Sequence, residues 1–584
     1  MSAILHHRLR LPAGLIKLCI ACALTFSPAA AVAAENPAWT RFAADFVEGT
    51  FKAQPYFAVQ MGRHEFDGRM PDWSRAGIEA EVRRLKNARA AATAFAAESL
   101  SAEQLFERDY VVAVTDNNLF WLAKAEFPFR NPAWYVNQLD PEVYLSREYA
   151  PLEQRLSGYI GYAKAIAKIA DSIRANLRTP LPKSYVEYGI SGFGGFAEFY
   201  RNDVPKVFAA IKDPALQKEL AAANTAAANA MLALKDWLVT QRATANDSFA
   251  LGPELYAAMV KDTEGLDMPV AAIEAAGRAD LERNSAALKQ ACGQFAPGKS
   301  VRDCVSKVQT RKPADGPVAG ARAQLATLRK FVEDKGIVSI PGTEEALVAE
   351  SPPYNRQNSA YITTPGPYEK NIPFVYNISP PDPSWTPEEQ ADYIDGEAEL
   401  LNTSVHEVWP GHFLQFLHSN RAKSRIGQLW VGYAYAEGWA HYTEELMWDM
   451  GLGSGNQENH IAQLLDALWR NVRLVSSIGL HTQGMTTDTS ERMFQEYAFS
   501  DPGNARQQAR RGTYDPAYLN YTLGKLMIRK LRDDWVAKQI AGKPDTDPKS
   551  YWRAFHDEFL SHGGPPIPML RRAILGDADN GPLL

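Results

Sequence analysis

Long stretches of the chain repeat apolar residues every three or four positions, the period of a helix with one buried face. Residues 79–98, 147–177, 207–243, 270–291 and 321–334 all carry this pattern, the last stopped by Gly336. Between Val338 and Trp385 the pattern changes, and nine prolines separate short extended runs at 359–363 and 373–378. A small sheet or a set of paired loops is expected there. Helical periodicity resumes at Thr386-Pro387-Glu388-Glu389: a Thr cap, Pro in the first position, and an acid three residues after the cap. From Thr386 a helix is predicted to run into His406. Further helices continue to about Lys538, with another over residues 551–560. The glycine-rich stretch 191–196 (SGFGGF) reads as a flexible loop over a cleft. The fold class expected is mainly α with a small β element.

The first 34 residues stand apart from this pattern. A basic start (His6, His7, Arg8, Arg10) precedes an apolar run from Leu15 to Phe26, and Ala31-Val32-Ala33 comes after it. This is the layout of a secretory signal peptide, with cleavage expected near Ala33 or Ala34. The apolar run is too short to span a bilayer, and no later segment approaches the ~20 apolar residues that a span needs. The expected product is an exported protein, periplasmic or secreted, with no membrane span. The remaining chain, 35–584, reads as a helical domain.

Composition adds one exclusion. The leader carries Arg8, Arg10 and Lys17 and no acid, so its removal takes the formal charge from −6 to −9. An acidic surface argues against nucleic acid as a partner. Cys19 and Cys22 leave with the leader. Cys292 and Cys304 remain, 12 residues apart; they form a local disulfide or stay as two buried thiols.

Candidate chemistry gathers in one region. Six of the nine histidines beyond the leader lie between His406 and His481. At its centre is His406-Glu407-Val408-Trp409-Pro410-Gly411-His412. A zinc-binding H-E-x-x-H pair sits four residues apart on one helix face. Here the second histidine comes at six, about 120° round and about 9 Å along an unbroken helix. Such a pair cannot share an ion at ~2.1 Å. Pro410, however, has no N–H to return to the carbonyl of His406, and Gly411 tolerates unusual backbone angles. The two together can act as a bulge that swings His412 back. Twenty-five residues later Glu437, in Tyr435-Ala436-Glu437-Gly438-Trp439-Ala440-His441-Tyr442, supplies a carboxylate. Two histidines and a glutamate make a catalytic zinc site with water as the fourth ligand. Glu407 would then be the general base that takes a proton from the attacking water.

HEVWPGHFLQ and YAEGWAHY, with GLH at 479–481 and YTLG at 521–524, resemble the exported bacterial domain-of-unknown-function family 885. The resemblance covers most of the chain beyond the leader. It implies a two-lobed helical metallopeptidase-like fold, with active-site helices over about 386–540. It also implies one Zn²⁺ per chain at His406, His412 and Glu437. Related peptidases place an Asp four residues after the ligand Glu, where this chain has His441. An acid expected just before GLH is also missing from Val475-Ser476-Ser477-Ile478.

The function expected is zinc-dependent hydrolysis of a peptide or small amide. Tyr521 is a candidate donor to the tetrahedral oxyanion, and His481 a second candidate catalytic contact. His441, one turn from Glu437, is an extra ligand, a hydrogen-bond donor behind one, or a substrate contact. His418 is expected to point away as a structural residue, and His460 to sit exposed in a loop. Tyr361 and its strand are placed to pair with a peptide. The rival functions are hydrolysis of a non-peptide amide or ester, a non-haem iron site, and an inactive binding protein. Glu407 beside intact ligands speaks against the last, because a binder has no use for a base. Nothing in the sequence sets the oligomeric state.

Overall fold

In the computed structural model the apolar stripes pair off as helices, and their packing builds two large hydrophobic cores and two smaller ones among the described residues. The structure describes residues 35–584 except 353–355, 357–358, 382–384, 544 and 577–580; the leader lies outside the described residues. One large core gathers side chains from the first half of the chain, among them Trp39, Phe51, Tyr159, Phe193, Tyr200 and Leu238. The other large core joins Phe120 to residues of the second half, including Phe413, Trp439, Leu523 and Phe559. The fold is mainly α, as the periodicity predicts. Among the described residues no helix is long and apolar enough to cross a membrane.

In the first half, helices Leu152–Asn176, Lys183–Asn202 and Pro214–Gln241 pack side by side. The glycine-rich stretch lies inside the second of these and is not a loop. A Cβ on Gly192 would come within 2.7 Å of Val136, and one on Gly189 within 2.5 Å of Leu238. These glycines let helices approach closely, so they mark packing where local freedom suggested a turn.

In the second half, helix Val270–Phe295 packs along Gln457–Thr482. Cys292, near its end, is disulfide-bonded to Cys304 of helix Val301–Gln309. Of the two cysteine readings, the bridge is the one present. The Pro-rich segment forms three short strands: β1 (Ala346–Glu350), β2 (Ala360–Thr363) and β3 (Phe374–Ile378). Their order is β1-β3-β2, with β1 parallel and β2 antiparallel to β3. Tyr376 of β3 approaches Ser404, its hydroxyl 3.5 Å from the serine oxygen, and so seats the sheet on the helix that carries His406. Tyr361 stands on β2, an edge strand.

Thr386 caps helix Pro387–Tyr393 with the predicted reciprocal bonds to Glu389. That helix does not continue to His406. It stops, and a second helix, Glu397–Glu407, starts after Gly396, whose N–H donates to Glu399 at 2.8 Å. A Cβ on Gly396 would meet the Val308 carbonyl at 3.0 Å, so the chain passes too close to its neighbour there to carry a side chain comfortably.

Candidate metal centre

The His406 helix ends at Glu407, and the chain then turns a corner. Trp409-Pro410 is a cis peptide, and Gly411 precedes a new helix, His412–Ser419. The corner is held from both sides. Gly411 donates to the Val405 carbonyl at 3.0 Å, and the Trp439 indole donates to the Pro410 carbonyl at 2.9 Å. A Cβ on Gly411 would lie 1.8 Å from the His406 carbonyl oxygen. Only glycine fits, and the result is the fold-back that the Pro-Gly pair suggests. The two imidazoles meet edge to face with centroids 4.8 Å apart.

Helix Tyr433–Asp449 brings Glu437 to the pair. Its Oε2 lies 3.4 Å from Nε2 of His406 and 3.4 Å from Nε2 of His412. One ligand atom from each residue falls within a single group no wider than 4.8 Å. Four donors around a tetrahedral ion at ~2.1 Å stand about 3.4 Å apart. Glu437 Oε2, the atom on which both imidazoles converge, is buried and has no hydrogen-bond partner among the described residues. A converging set that does not satisfy itself is what a cation would complete. The fit to zinc is therefore good.

Glu444, two turns beyond Glu437, is the residue that spacing did not reveal. It accepts from Nδ1 of His406 at 2.6 Å, from Nδ1 of His441 at 3.1 Å and from Arg470 at 3.1 Å. Glu444, held ionised, accepts from Nδ1 of His406, so Nε2 is the ring nitrogen turned toward Glu437. The acid expected one turn after Glu437 is thus supplied two turns after it. Burial pushes the Glu444 carboxyl up, but Arg470 and the two imidazoles outweigh burial and hold it well below the usual range. For His406, burial opposes the charged ring, and Glu437 and Glu444 overcome it, raising the pKa to about 10. Glu437 is lowered, against burial, chiefly by His412 and His406.

Glu407 is half-buried and makes no hydrogen bond or ion pair among the described residues. Tyr521, on helix Asn520–Ile540, is brought close because Gly438 and Gly524 let two helix backbones touch. A Cβ on Gly524 would meet the Ala434 carbonyl at 2.0 Å. The Tyr521 hydroxyl has no hydrogen-bond partner among the described residues, and its ring lies 5.8 Å from that of Tyr433. Burial and the charge of Glu437 raise its pKa.

Other candidates fall elsewhere. Both ring nitrogens of His481 are taken up by backbone: Leu251 N–H donates to Nδ1 at 3.2 Å, and Nε2 lies 2.7 Å from the Gly512 carbonyl. Burial lowers its pKa to about 4, so it is a neutral residue clamping two segments together. The serines before it, where an acid was expected, serve the same end: Ser477 donates to the Pro516 carbonyl, and Ser476 bonds Ser490. His441 is fully buried on Glu444. His418 points away, as expected, to the Ser339 carbonyl at 2.9 Å. His460 lies in helix Gln457–Thr482, stacked at 4.0 Å on Trp448, and not in a loop.

Two solved structures are similar to this chain over nearly their whole length. One is a candidate lipoprotein of unknown function from Shewanella oneidensis, 23% identical, with a TM-score of 0.74, covering 92% of this chain and 99% of that one. The other is a candidate lipoprotein from Colwellia psychrerythraea, 17% identical, with a TM-score of 0.75, covering 92% and 98%. Both share the fold. No curated protein matches the chain. A family model for bacterial proteins of unknown function matches residues 55–574, and on that match the chain belongs to the DUF885 family.

Proposed function

We propose that this chain is an exported zinc-dependent hydrolase whose substrates are peptides. One observation carries the reading: a nitrogen from each of His406 and His412 and an oxygen of Glu437 lie within 4.8 Å of one another, beside an unpaired Glu407. Zinc bound there would supply a Lewis acid that polarises the scissile carbonyl and acidifies the attacking water. Glu407 takes a proton from that water and returns it to the leaving amine. The oxygen of water joins the carbonyl carbon and the C–N bond breaks, giving an acid and an amine. Glu444 holds His406 in the ligating tautomer. Tyr521 donates to the oxyanion, a role suited to a hydroxyl with no partner of its own. The edge strand β2 offers backbone groups to an extended peptide, which favours peptides over small esters. The Cys292–Cys304 bridge and the leader-like first 34 residues support an oxidising compartment.

The test is elemental analysis of purified protein together with a peptide-library digest. About one zinc per chain is expected, lost in His412→Ala. Glu407→Gln should keep the metal and lower hydrolysis by about 10²- to 10⁴-fold. Metal that persists in His412→Ala, or hydrolysis that persists in Glu407→Gln, would sink the proposal.

A further inference from the structure

Three guanidinium groups surround the tyrosine beside the metal centre. Arg470 lies 5.8 Å from the centre of the Tyr521 ring and Arg473 lies 4.8 Å from it. Arg511 donates to the Tyr433 hydroxyl at 3.1 Å, and Tyr433 packs on Tyr521. Two of the three have carboxylate partners: Arg470 pairs with Glu444 and Asp466, and Arg511 with Asp515. Arg473 has none. Its Nε donates to the neutral amide of Gln508 at 3.0 Å, and its two terminal nitrogens have no hydrogen-bond partner among the described residues.

An unpaired guanidinium among two others is costly unless something anionic arrives. Burial, Arg511 and Arg470 all work against its charge. Arg473 is nevertheless half-buried, so part of it is open to solvent. It stands on helix Gln457–Thr482, which packs against both Pro502–Tyr514 and Asn520–Ile540. A planar guanidinium with two free N–H edges matches a carboxylate bidentately. Arg473 also sits one tyrosine away from the field of Glu437, which acts directly on Tyr521.

We propose that Arg473 binds the terminal α-carboxylate of the substrate, so that this enzyme removes residues from peptide C-termini. The assignment rests on the metallopeptidase reading above and narrows it to an exo-acting enzyme. An acidic side chain offers the same chemistry, and the arms of the test separate the two sources.

The experiment uses the zinc-loaded full chain and three N-acylated tripeptides. The first has a free C-terminus, the second is its C-terminal amide, and the third is an amide ending in Glu. kcat/KM should favour the free acid over its amide by about 10- to 100-fold, the worth of a charge-assisted pair. Arg473→Met should erase that preference, and Arg473→Lys should restore part of it. Binding of the same peptides to Glu407→Gln, measured by calorimetry, should show the same ranking without turnover. Equal use of free and amidated peptides, or a preference that survives Arg473→Met, overturns the assignment while leaving the hydrolase intact. Tight use of the Glu-ended amide also overturns it, because the site would then read a side chain. A chain without zinc that binds no peptide overturns both readings.

Discussion

The same two helices, Tyr433–Asp449 and Asn520–Ile540, carry two clusters of charge with opposite characters. Toward one end, Lys525, with no solvent exposure, donates to Asp280 at 2.5 Å. Arg283 reaches Asp280 at 2.7 Å and Glu445 at 2.9 Å, and Arg529 also pairs with Glu445 at 2.9 Å. Asn471 adds a hydrogen bond to Asp280. Lys525 and Arg283 hold Asp280 far below the ordinary carboxylate range, against the effect of burial. Every charge has its partner. Near Glu437 the count does not close among the described residues: Glu437 Oε2, His412 Nδ1 and His441 Nε2 are buried without hydrogen bonds, and Arg473 lacks a carboxylate. A closed set holds helices together. The open set is also the less buried, with the Glu437 side chain 21% exposed, and on the proposed function it is the one that a ligand from outside would complete.

Substitutions on either side test that contrast. The largest effect should come from Lys525→Met, which takes from Asp280 its fully buried cation and leaves Arg283 as the one guanidinium in close contact. Unfolding by denaturant should show a loss of about 3–5 kcal/mol. Glu437→Gln should cost far less stability while abolishing zinc binding, and equal losses in the two variants would erase the distinction. A buried acid with no cation at all gives the intermediate case. Glu264 accepts from Asn520 at 2.6 Å, and burial raises its pKa to about 7. A raised acid favours the protonated form in the folded chain. Its contribution is therefore complete below about 4.5, the ordinary value, and is lost as pH rises through about 7. Thermal melts should show Glu264→Gln gaining on the wild type between about pH 5 and 8, by on the order of 1–3 kcal/mol. A constant difference across that range would refute the reading. Glu444→Gln keeps the shape but weakens the hold on His406, and zinc affinity should fall about 10- to 100-fold. An unchanged affinity would show that Glu444 serves only Arg470 and His441.

How much of this was legible depends on what kind of signal each feature leaves. His406, His412 and Glu437 were legible because ligand chemistry restricts residue type, and because Pro410 and Gly411 announce a break between the histidines. Glu444 was not. One helical turn was the expected interval, and the acid sits two turns on, facing the same side of the same helix. Arg473 leaves no mark, since a missing counter-charge is a property of neighbours that come from other segments. The stretch 191–196 misled for a related reason. A glycine required by an approaching helix looks, in sequence, like a glycine required by a turn. His481 lay in the right region, but whether a ring nitrogen is free is decided by the backbone of residues 251 and 512. The mainly helical class was the most legible feature of all, because apolar periodicity is repeated across hundreds of residues and tolerates local errors.

The corner at Trp409–Gly411 changes what it means for a residue to belong to the proposed metal site. In a regular helix the interval between two ligands is enforced by every peptide unit, and the loss of any one side chain between them is forgiven. Here the interval depends on a single position without a side chain, pressed against the His406 carbonyl. A methyl group at Gly411 would force the backbone apart and carry His412 with it. On the proposed function, metal loading is thus exposed to lesions at a residue that owns no donor atom, and genetic loss of function at this corner would resemble loss of a ligand.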